Sequence, residues 1–77
     1  MDTQHLIHMA NRIGEFFQSM PDADEAQAGI VTHLHKFWAP RMRVALLAQL
    51  DADGAPGLMP LVRDAVRQHR AELMPVV

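Results

Sequence analysis

Four prolines divide this chain. Pro21, Pro40, Pro60 and Pro75 stand 15 to 20 residues apart, and each interval holds apolar residues in steps of three and four. A proline cannot continue a helix that precedes it, and its ring pushes the residue before it out of the α region. Helical periodicity cut at such intervals predicts short helices, and no segment alternates with period two for long enough to be a strand. The expected fold is all-α: a small bundle of three to four short helices joined by Pro/Gly/Asp turns, one domain over residues 1–77.

The first interval carries Leu6, Met9, Ile13, Phe16, Phe17 and Met20 on one helical stripe, with Thr3 as its N-cap and an end near Ser19. Asp22 and Glu25 have the spacing of a capping box, opening a second helix over residues 23–38 that carries Ile30, Leu34 and Phe37. Pro40 suits the first turn of a third helix, apolar on more than one side through Met42, Val44, Leu46, Leu47 and Leu50. The run Asp51 to Gly57 ends it, with Gly54 free to turn left-handed. Pro60 opens a fourth helix that continues to Leu73. Gly14 and Gly29 interrupt helices one and two, each at about 1 kcal/mol relative to alanine. A close helix crossing and simple tolerated drift both account for them.

Composition removes several function classes. A chain of 77 residues buries only about 60% of the surface its unfolded form exposes, and its 27 large apolar side chains (Val, Ile, Leu, Met, Phe, Trp) suffice for one small core. With no cysteine it offers no disulfide, thiolate metal site or cysteine nucleophile. A formal charge of −2 and a pI near 6.2 argue against nucleic-acid and membrane surfaces. The longest apolar run, Val44 to Ala48, is far short of the ~20 residues a membrane span needs. The N-terminus lacks the basic and apolar regions of a signal peptide, so a cytoplasmic location is expected.

Constellations for chemistry are sparse. His5 and His8 share a helical face, whereas His33 and His35 diverge by roughly 200°. Neither pair has a third ligand at fixed spacing, so solvated or edge-of-core histidines are the better account. No nucleophile elbow or phosphate loop occurs. Asp22 and Glu25 read as capping, Asp51 and Asp53 as loop solvation. No catalytic, metal or cofactor-binding residue is assigned.

The densest stretch is Phe37-Trp38-Ala39-Pro40-Arg41-Met42-Arg43. Aromatic residues, Met and Arg are enriched at the centres of protein interfaces. Core packing is the preferred reading of Phe37 and Trp38. Arg41 and Arg43 open helix three, where positive charge opposes the helix dipole; an external partner and a carboxylate of the same chain are both open as compensation. A helix apolar nearly all round calls for burial all round, so a surface including helix three is expected to be covered by another protein. The candidate partner-binding residues are Phe37, Trp38, Pro40, Arg41, Met42 and Arg43.

The pattern Leu6-Ile7-x-Met9-Ala10-Asn11-x-Ile13-Gly14-x-Phe16-Phe17, then Pro21-Asp22, then His33-Leu34-x-x-Phe37-Trp38-x-Pro40-Arg41-Met42-Arg43 resembles the delta subunit of NAD-dependent, molybdenum- or tungsten-containing formate dehydrogenases. The likeness runs from about Leu6 to His69, and Phe-Trp-x-Pro-Arg-Met-Arg is its most specific element. The resemblance implies a small cytoplasmic accessory subunit without a redox centre of its own. It also implies alpha, beta and gamma partner subunits that hold molybdopterin guanine dinucleotide, iron–sulfur clusters and FMN, and a complex that oxidises formate to carbon dioxide and reduces NAD. This chain would then stabilise or assemble the complex by docking on the large alpha subunit. The competing reading is a free-standing helical interaction module or homodimer unrelated to redox chemistry; self-association of the isolated chain is left open.

Overall fold

The computed structural model describes residues 2–75, and among them every regular element is helical. The elements are α1 (Thr3–Phe17), α2 (Ala23–Phe37), α3 (Pro40–Asp53), α4 (Pro60–Gln68) and the single turn α5 (Arg70–Leu73). The proline punctuation holds: Pro40 and Pro60 stand in the first turns of α3 and α4, and α1 ends before Pro21. The N-cap of α1 is Asp2 rather than Thr3, its carboxylate accepting from the Gln4 amide at 3.0 Å; a charged cap also answers the positive helix end. Asp22 caps α2 by accepting from the Asp24 amide at 2.9 Å rather than through a reciprocal box with Glu25. The first helix closes at Phe17, two residues earlier than expected.

The fourth interval is not one helix. At His69 (φ −111°, ψ 28°) the backbone leaves α geometry, and α5 restarts at Arg70. The break lets Arg70 fork onto Asp51 of α3, at 2.9 and 2.5 Å, and lets Leu73 pack into the core at 1% exposure. His69 itself bonds Glu72 at 3.2 Å.

Helix α2 is the centre of the bundle, packing on α1, α3, α4 and α5. The core joins Leu6 and Ala10 of α1, Ile30, Val31 and Leu34 of α2, Leu46, Leu47 and Leu50 of α3, Val62, Ala65 and Val66 of α4, and Leu73. These sets recur at three and four residues within each helix, so each helix buries one stripe. Gly14 and Gly29 mark close approaches: a Cβ on Gly14 would stand 2.5 Å from a Val62 methyl, and one on Gly29 would meet the Phe17 ring. Of the two accounts of these glycines, close crossing is the one the fold realises.

The α3–α4 connection is tightly held. Gly54 takes the left-handed cap conformation (φ 78°), and the buried Ala55 follows at φ 51°, where a Cβ is disfavoured. Arg63 donates to the carbonyls of Gly54 (3.1 Å), Ala55 (3.4 Å) and Leu58 (3.0 Å). Asn11 of α1 closes the far side, donating to Gly57 O and accepting from the Met59 amide, both at 2.8 Å. Asp53 caps Ala55 N at 3.1 Å and receives Gln49, so Asp51 and Asp53 are structural rather than merely solvated.

Candidate partner-binding surface

The segment from Phe37 to Arg43 is the α2–α3 corner, and the corner separates its residues into buried and exposed ones. Trp38, the C-cap of α2 in extended geometry (φ −87°, ψ 138°), lies in the core at 6% exposure as expected. Phe37, expected to support from the core, is instead 66% exposed; its ring lies 4.7 Å from the His33 ring and under the Lys36 ammonium at 5.7 Å. Pro40 and Arg41 are exposed and Met42 is half-buried against the core.

Arg43 points the other way from Arg41. It is buried, and its guanidinium donates to Leu73 O at 2.9 Å, His35 O at 3.1 Å and Trp38 O at 3.0 Å. The last carbonyls of a helix lack intrahelical donors and carry partial negative charge. Arg43 satisfies those at the ends of α2 and α5 together. Neither of the compensations open from sequence, a partner or a carboxylate, is what Arg43 uses. Its position was readable: residues 43, 46, 47 and 50 form the buried stripe of α3.

Helix α3 exposes less apolar surface than its composition suggests. Leu46, Leu47 and Leu50 are buried, Met42 and Ala45 pack against the core, and Val44 is its one large exposed apolar side chain, at 41%. The larger exposed apolar groups are Phe37 and Phe16, the latter at 75%. Sequence reasoning placed Phe16 on the core stripe of α1. Phe16 and Phe17 are adjacent, about 100° apart around the axis; here Phe17 packs against the core, Phe16 faces outward, and the two rings meet edge to face at 5.0 Å.

The histidines do not converge. Among the described residues no group of three His, Cys, Asp or Glu could hold a metal ion, and without cysteine the chain has no thiolates for an iron–sulfur cluster. No helix among the described residues is long and apolar enough to cross a membrane.

Comparison with curated proteins gave no match, and comparison with solved structures gave none either. The family model of the NADH-dependent formate dehydrogenase delta subunit FdsD matches residues 5–66. That span contains most of α1, all of α2 and α3, the clamped connection and most of α4, including every candidate residue from Phe37 to Arg43. The chain therefore belongs to the FdsD family of formate dehydrogenase delta subunits.

Proposed function

We propose that this chain is a non-catalytic accessory subunit, which stabilises or assembles a cytoplasmic formate dehydrogenase complex by docking on its large alpha subunit. In this reading molybdopterin guanine dinucleotide, iron–sulfur clusters and FMN belong to partner subunits. The α2–α3 corner divides the labour: Phe37, Pro40, Arg41 and Met42 meet the partner, while Trp38 and Arg43 hold the corner in shape from beneath.

The observation that carries this reading is the contrast between engaged and exposed groups. Arg43, Arg63 and Asn11, polar side chains set between elements, are bound to backbone groups of the same chain. The large apolar side chains Phe16 and Phe37 face outward. A surface of that kind gains by burial against another protein.

Co-expression of the complex with and without this chain tests it. The proposal expects less assembled, active enzyme without the chain, and restoration when it is supplied. Formate oxidation by the purified chain alone, or unchanged assembly and activity in its absence, would overturn it.

A further inference from the structure

The α1–α2 hairpin carries a furrow that none of the candidate residues except Phe37 touches. Arg12, Ile13, Phe16 and Phe17 of α1 line one part with His33; the adjoining part runs along α2 from Ala28 and Gly29 through Thr32, His33 and Lys36 to Phe37. Phe17 and His33 line both parts, which therefore adjoin. Ala28 to Phe37 spans about 14 Å at 1.5 Å per residue, or two and a half helical turns. The apolar lining is Ile13, Phe16, Phe17 and Phe37.

Its charge is one-sided. The lining of these two parts holds the cations Arg12 and Lys36 and no carboxylate, although the chain as a whole carries −2; Glu72 lines the neighbouring hollow on the other side of Thr32 and Lys36. Among the described residues neither Arg12 nor Lys36 enters an ion pair; Lys36 only overlies Phe37.

We propose that this furrow receives an amphipathic helix of the partner protein, its apolar face carrying anchors at i, i+3/i+4 and i+7 and its flanks carrying Asp or Glu. The inference rests on the docking reading above and deepens it. Length, apolar floor and exposed aromatic rims fit helix-in-groove recognition, and the cationic edges select acidic flanks. A second copy of the same face is the poorer occupant, because it brings Arg12 and Lys36 no carboxylate.

Two double variants in the full chain, each tagged and co-produced with all formate dehydrogenase subunits, provide the test when the complex captured through them is compared with that captured through tagged wild type. Phe16→Gln with Phe37→Gln removes the apolar rims at exposed positions, and Arg12→Glu with Lys36→Glu reverses the edges; circular dichroism checks that each retains its helix. Wild type should bind, with each variant weakened at least about tenfold, as when an interface loses central anchors. Binding should also fall with ionic strength in wild type and lose that dependence in the charge-reversed pair. Wild-type binding with both variants unimpaired would overturn the furrow while leaving the docking reading intact. Failure of wild type to bind would overturn both. An unimpaired Arg12/Lys36 pair would overturn the acidic partner. Loss of self-association by the free chain alone would assign the furrow to a second copy, and loss only of binding to phosphatidylserine vesicles would assign it to a lipid surface; either contradicts the proposal.

Discussion

Arg41 and Arg43 are two residues apart, bear the same charge and open the same helix, yet their substitutions should have opposite effects on stability. Arg43 ties three carbonyls from two helix ends, and charged hydrogen bonds of this kind contribute about 1.5–3 kcal/mol each before compensation. Arg43→Ala should destabilise the isolated chain by about 2–4 kcal/mol in urea titrations. Arg43→Lys should recover little, since an ammonium lacks the planar fork that reaches all three acceptors. Arg41 is exposed and opposes the α3 dipole, so Arg41→Glu should be neutral to slightly stabilising, by up to about 1 kcal/mol. A variant combining reversals at both positions would mix a docking effect with a folding one; Arg41 alone is the informative site. From sequence the two arginines are distinguishable only by register, Arg43 lying on the buried stripe. The acceptor at Leu73, 30 residues away, leaves no mark in the local pattern.

At the scale of elements, proline and period located α1 to α4 because both act through the local backbone. The pattern failed where the chain leaves α geometry. At the end of α2, Trp38 lies in the core as expected, but Phe37 beside it faces solvent; at His69 the helix breaks without Pro or Gly, for contacts with α3 and the core. The glycines give a test of how tightly the elements meet. Alanine in a helix interior ordinarily gains about 1 kcal/mol over glycine. Gly14→Ala should instead cost about 1–3 kcal/mol in thermal melts, because its Cβ would strike Val62, a stiff β-branched side chain buried on all sides. Gly29→Ala should cost less, as the half-buried Phe17 ring can swing aside. Asn11 is the other long-range tie that spacing concealed. Asn11→Ala should cost about 1–2 kcal/mol and, in hydrogen exchange, strip protection from the Met59 amide it holds.

For the whole molecule, family membership favours a role within formate dehydrogenase over a free-standing module unrelated to redox chemistry. The fold class was legible because 77 residues with one core leave few arrangements of four short helices. The exposed face was less so: composition located the apolar excess on α3, but packing hides most of α3 and leaves Phe16 and Phe37 outside. The proposed role requires that a larger, cofactor-bearing protein complete this surface. Native mass spectrometry of material captured through a tagged copy of this chain, from cells producing all formate dehydrogenase subunits, measures that directly. A docked subunit should emerge in a defined-stoichiometry assembly containing the large alpha subunit with its bound cofactor. Recovery of the chain only by itself, or only with further copies of itself, would contradict it.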